Sequence, residues 1–319
     1  MSRWSTLIVD EAGINHLGQL DTALLSRHAD QVAALQLKPR QLYQRWEAQQ
    51  WNAEEIDLER DAHDYRRRLP RRFRGEMEKL IATFIVGEYT GVDLLSPVML
   101  GAAQEEDVMF LATQAADETR HAQLMFRVGR EVLGYDDDPH LMLRQAWDLA
   151  DAEHQQIALI EGEIMRDIAA APTDYTRWIR GVTMFHMVTE GIMALAGQRA
   201  AIQLLGKLNI MPGLRSAFAG LCRDESRHIG FGLHSLRIGM QEGQREAIHD
   251  VLERTVPLVL AMTIKDGDNG TGAAEIQRSA MDRVFRNVGI DQTFRDHIGV
   301  QTRRYLEQIT FDEHQEKAA

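Results

Sequence analysis

The pentapeptide Asp117-Glu118-Thr119-Arg120-His121 returns 107 positions later as Asp224-Glu225-Ser226-Arg227-His228. Each copy contains Glu-x-x-His, a spacing that brings a carboxylate and an imidazole onto one helix face, a turn apart. Two such pairs on facing helices, joined by two further buried glutamates, make the ligand set of a carboxylate-bridged dinuclear metal site in a four-helix bundle. The spacing alone is weak evidence. With 12 histidines and 48 acidic residues in 319, roughly two acid-x-x-His pairs arise by chance. The chain has five, and Asp137/His140, Asp151/His154 and Glu246/His249 lie among polar residues and read as surface pairs.

Setting separates the other two pairs from chance. Glu88 stands within Ala82-Thr83-Phe84-Ile85-Val86-Gly87-Glu88, and Glu190 within Met184-Phe185-His186-Met187-Val188-Thr189-Glu190. A carboxylate inside an apolar helix is costly unless paired, protonated or metal-bound. In chain order the helices then offer Glu88, Glu118/His121, Glu190 and Glu225/His228, the order of a di-metal bundle. Glu88, Glu118 and His121 are expected at one metal and Glu190, Glu225 and His228 at the other, with Glu118 and Glu225 as bridges. Oxygen ligands with one imidazole per metal fit iron or manganese better than copper or a thiolate-bound metal. Such a set supports high oxidation states and leaves positions open for dioxygen.

These residues need long helices to carry them. Apolar residues recur at three- and four-residue intervals, as in Leu80, Ile81, Phe84 and Ile85, and no alternating strand pattern of useful length is present. The periodicity and the proline and glycine positions predict helices over 21–37, 54–68, 71–96, 104–134, 139–170, 174–207, 212–241, 244–265 and 274–309, the last broken near Gly289. The fold class is all-α, and 1–319 reads as one helical domain with the di-metal core at about 71–241. The segment Asp266 to Gly272 has three glycines and no apolar anchor, which marks a loop.

Composition excludes several classes. The 36 basic and 48 acidic residues leave a net charge of −12, which disfavours a nucleic-acid partner. The basic run Arg66-Arg67-Arg68 reads as a solvated helix end. One cysteine, Cys222, rules out an internal disulfide, and the longest apolar stretch, Val256 to Thr263, is too short to span a bilayer. The N-terminus lacks a signal-peptide pattern, so a cytoplasmic protein is expected.

The ligand order and the segment Trp51 to Asp61 resemble the ribonucleotide reductase small subunit, a ferritin-like fold. The resemblance implies a relay from Trp51 through Asp224 to His121, and a carboxylate behind a ligand histidine is what metal chemistry requires. Asp117, at the matching place in the first motif, is assigned to the helix surface. Phe84 to Glu88, Thr189 to Gly197 and Ile210 to His228 more closely resemble the small-subunit-like ligand-binding oxidases. That branch implies a Mn/Fe or di-iron centre, a long-chain fatty acid and a homodimer. The similarity runs from about 51 to 240.

The departures bear on chemistry. Met125 stands where reductase subunits carry the radical tyrosine, and the tail from Phe311 lacks the tyrosine that relays the radical onward. Gly91 and Phe185 replace the valine and tyrosine that crosslink in the oxidase branch. An oxidant spared from attacking its own protein is free for an external substrate, in a pocket expected near Gly91, Met125, Phe185 and Met187. Met109, Met184 and Met193 are expected on buried faces with them. The reading is thus an O2-activating oxidase or oxygenase of an apolar, fatty-acid-like molecule. The competing readings are a di-iron N-oxygenase or desaturase, and a radical-generating or metal-handling reductase subunit. His186 and His234 are the nearest histidines to a seventh ligand, and neither is well placed.

Overall fold

The computed structural model describes residues 4–264 and 272–316, and among these no strand occurs. The helices are α1 (Trp4–Glu11), α2 (Ile14–Leu17), α3 (Thr22–Ala34), α4 (Pro39–Ala48), α5 (Glu59–Arg67), α6 (Arg71–Gly101), α7 (Glu105–Arg127) and α8 (Pro139–Leu149). They continue as α9 (Ala152–Ala170), α10 (Tyr175–Val182), α11 (Leu195–Leu208), α12 (Pro212–Gln241), α13 (Arg245–Ile264), α14 (Ala273–Val288) and α15 (Gln292–Glu316). Two wider, π-helical stretches extend this set: Val128–Leu133 prolongs α7, and Thr183–Ala194 joins α10 to α11. Of the loop expected from Asp266 to Gly272, residues 266–271 lie outside the described residues, and Gly272 precedes α14.

Four elements form the inner bundle: α6, α7, the π-helical stretch with α11, and α12. Their apolar stripes face one another, and a continuous core runs from Val9 to Ile298. On one side α9 and α13 pack against α6 and the π-helical stretch, while α3 and α4 cover α12. α12 is buried along most of its length, from Leu214 to Leu236. Close approach requires Gly232 there, because a Cβ would stand 2.4 Å from that of His186.

Several boundaries differ from the periodicity. α6 runs through Pro97 to Gly101, where a stop at 96 is expected. A proline removes one backbone bond, and packing of Leu95 and Val98 keeps the helix going; Trp178 Nε1 also donates to the Val98 carbonyl at 2.8 Å. The 139–170 helix divides at Ala150, where Asp151 turns extended (ψ 148°). The short α1, α2 and α4 have no counterpart among the expected helices, whereas the break at Gly289 (φ 87°) is present.

Met109 is 56% exposed rather than buried. It shares a solvent stripe with Ala112, Ala116 and Thr119, while Phe110, Gln114, Asp117 and His121 face inward. His154 is also corrected: it is 2% exposed, because it shares a face of α9 with buried Ile157 and Glu161.

Candidate metal centre

The inner bundle brings Glu88 of α6, Glu118 and His121 of α7, Glu190 of the π-helical stretch, and Glu225 and His228 of α12 to one buried point. Two sets of potential ligand atoms each lie within 4.8 Å of one another: Glu88/His121/Glu225 and Glu118/Glu190/His228. Glu88 Oε2 stands 3.3 Å from His121 Nδ1, and Glu190 Oε1 stands 3.3 Å from His228 Nδ1. Glu118 turns Oε2 toward His121 (3.8 Å) and Oε1 toward His228 (3.4 Å). Glu225 does the same with Oε1 (3.9 Å) and Oε2 (3.2 Å). Each of these two carboxylates therefore straddles the pair of imidazoles, as a bridge must. Gly91 leaves the room: a Cβ there would lie 3.1 Å from Glu118 Oε2.

The electrostatics of this cluster call for cations. Four carboxylates share a buried site with two imidazoles. Burial raises Glu88 to about 7 against the pull of His121, and burial with the nearby Glu225 raises Glu190 well above the usual carboxylate range. Burial alone would lower His121 and His228; Glu88 and Glu190, with the aspartates behind, hold both well above 6.5. His121 Nδ1 and Glu190 Oε2 have no hydrogen-bond partner. Inward-facing, unpaired lone pairs on hard donors fit two dications, which would take the place of the protons.

The Nε2 atoms face the other way and fix the rings. His121 Nε2 lies 3.1 Å from Asp224 Oδ2, which accepts from Trp51 Nε1 at 2.8 Å. The expected Trp51–Asp224–His121 relay is present in this geometry. Asp117 overturns its surface assignment: it is fully buried, stands 3.1 Å from His228 Nε2 and accepts from Trp46 Nε1 at 2.9 Å. Four residues before His121, it shares that histidine's inward face. Arg227 donates to both aspartates at 2.7 Å, and Arg120 reaches both from the rim. Burial would raise both acids, but Arg227 and the histidines hold Asp117 low and Asp224 well below the normal range.

Sequence reasoning missed Gln114. Its Nε2 donates to Glu190 Oε1 at 2.8 Å, and its Oε1 faces His186 Nε2 at 3.0 Å. Gln114 precedes Glu118 by four residues and His186 precedes Glu190 by four, so the helical period could have shown both. His186 is held neutral, near 3, by burial and His228, and it supports a ligand through Gln114. Neither it nor His234 belongs to the two ligand groups.

A cavity of about 370 Å³ opens onto Glu88, Glu118, Glu190 and Glu225. Gly91 and Phe185 line it as expected, whereas Met125 and Met187 do not. Both methionines are fully buried in the core, which leaves them filling rather than lining. Tyr89 faces α7, its ring 5.3 Å from that of Phe126.

The fold and the cluster define an all-helical, ferritin-like protein with carboxylate and histidine groups positioned for a dinuclear metal centre. The family model for the ribonucleotide reductase small chain matches residues 38–297, and the chain belongs to that family. Its fold is similar to an R2-like ligand-binding oxidase from Sulfolobus acidocaldarius, at 22% identity and a TM-score of 0.64, covering 78% of this chain and 90% of that one. Two variants of an R2-like ligand-binding oxidase with aerobically reconstituted Mn/Fe cofactor match at 22% and 23% identity, each with a TM-score of 0.63 over 85% of this chain and 93% of theirs. Among the described residues no helix is long and apolar enough to cross a membrane.

Proposed function

We propose that the chain is a dinuclear non-haem metal oxidase or oxygenase that uses dioxygen on an apolar small molecule. The observation that carries this reading is the cavity whose inner end is made of the four clustered carboxylates. In it, Glu88 and His121 would hold one Fe or Mn ion and Glu190 and His228 the other, with Glu118 and Glu225 placed between the two imidazoles to serve both. Bound metal would supply the reduction of dioxygen.

The chain's own residues perform the rest. Asp117 and Asp224 accept the Nε2 protons of His228 and His121, which keeps both Nδ1 lone pairs directed at the centre. Gln114 holds the orientation of Glu190. Phe185, Phe84 and Leu80 give the cavity apolar walls that keep water away and accept an aliphatic chain. Met125 and Phe185 stand where the resembled families carry the radical and crosslink tyrosines, Gly91 stands in place of the crosslinked valine, and among the described residues no tyrosine lines the cavity. The reading includes a single domain, from the organisation of the chain, and a homodimer, from the family resemblance alone.

Metal analysis and an oxygen electrode test the reading. Two metals per chain, and oxygen uptake that exceeds the metal present when a reductant and an aliphatic substrate are added, are the expected results. Glu190→Ala should lose metal and uptake together. A variant that keeps both metals would sink the ligand assignment, and uptake that stops at one oxygen per centre would sink the oxidase.

A further inference from the structure

The cavity has a polar wall that the ligand set leaves unused. α9 presents His154 and Glu161 to it, seven residues apart and so on one stripe, about 10 Å along the helix. Glu161 is 4% exposed and accepts from Thr189 Oγ1 at 3.0 Å. Among the described residues no lysine, arginine or histidine pairs with it. His154, 2% exposed, has no hydrogen-bond partner for Nδ1. Glu161 thus has a hydroxyl but no counter-charge where it stands, and His154 has only the charge of Asp151 to offset its burial.

Acids outnumber bases around the cavity. Beyond the four inner carboxylates, the wall carries Glu76, Asp151, Glu161 and Glu275 against Lys79 and Arg278. Lys79 is already paired with Asp151 at 3.5 Å. Two dications would offset only the inner four, which leaves the wall with more acids than bases. An anionic head group placed there meets repulsion from Glu161. An ammonium group supplies the missing donors and counter-charge, and such pairing is what permits a carboxylate in an apolar site.

We propose that Glu161 and Thr189 form the head-group subsite of an aliphatic amine, with its alkyl chain along the wall of Leu80, Phe84 and Met193. The substrate class is then an amine rather than the fatty acid expected from resemblance. The inference rests on the oxidase reading and narrows its substrate.

Calorimetric titration of the metal-loaded protein with n-octylamine, n-octanol and n-octanoate tests it. Octylamine should bind at least about tenfold more tightly than octanoate. Glu161→Gln should remove that preference while retaining the wild-type metal content. Octanoate binding as tightly as octylamine to the wild type would overturn the proposal without need of a variant. Unchanged amine affinity in Glu161→Gln would overturn it equally. Failure of the oxidase reading shows separately, as metal-loaded wild-type protein of the same preparation whose oxygen uptake stops at one oxygen per centre.

Discussion

Asp117 and Asp224 open the two copies of one pentapeptide, and each aspartate serves the histidine of the other copy. Arg227 lies between them without solvent contact, so the two motifs are cross-braced rather than independent. Asp117→Asn keeps the shape but can present an amide N–H to His228, which disturbs the tautomer that directs Nδ1 inward. A fall of roughly 10–100-fold in affinity for one of the two metals is expected, read by competitive chelation. An unchanged titration for both ions would show that His228 is held by packing alone. His154 gives a pH test away from the centre. Its folded pKa near 4 lies below the usual 6.5, so the unfolded chain takes up the proton first and stability falls as pH drops from about 6.5 to 4. His154→Gln cannot charge, and its loss of stability over that window should be smaller by about 2–3 kcal/mol, measured by urea unfolding at both ends. The six candidate ligands were legible because a carboxylate set among apolar helix residues needs a cation or a proton to be tolerated there. Asp117 was legible by the same helical period, four residues before a histidine already expected to face inward, and its surface assignment passed over that spacing.

At the scale of elements, α12 carries the most chemistry and is held most firmly at its start. The turn before it places Asn209 and Met211 in the left-handed region (φ 51° and 50°), which frees the first amides of the helix. Asp61 of α5 accepts from Gly213 N at 3.0 Å and from Leu214 N, and Asp64 accepts from Met211 N at 2.9 Å. A side chain from another helix thus does the work of an N-cap. Asp61→Ala leaves two buried amides without acceptors, so a loss of roughly 1–3 kcal/mol is expected in urea unfolding. A loss below a few tenths would mean that water replaces the carboxylate. The expected helix over 212–241 matches α12 because Pro212 marks its first turn and the apolar period continues to its end. The π-helical turns at Thr183–Ala194 were not legible, since a widened turn leaves the residue pattern nearly unchanged while shifting where Glu190 points. The α9 break at Ala150 was hidden likewise, because Gln155 bonding back to the Trp147 carbonyl is a tertiary outcome.

For the whole molecule, the centre is a point at which α6, α7, α12 and the π-helical stretch meet. Each contributes a carboxylate, and in the absence of cations those carboxylates repel one another across a buried space. A ligand that binds only the folded state adds RT ln(1 + [L]/Kd), about 2.7 kcal/mol at a hundredfold excess over Kd. Chelation should therefore lower the melting temperature, and the loss should not be spread evenly. α15 and the α3–α4 layer pack on the outside and supply no ligand, so their opening is set by their own apolar contacts. Hydrogen exchange followed by mass spectrometry separates the two cases. Removing metal should speed exchange in the inner turns around Glu88, Glu118, Glu190 and Glu225, and leave α15 near its metal-loaded rate. Equal acceleration throughout would mean that the chain unfolds globally before exchange, with the metals stabilising only the whole. No acceleration at the four turns would mean that Arg227 and the two aspartates hold the bundle unaided.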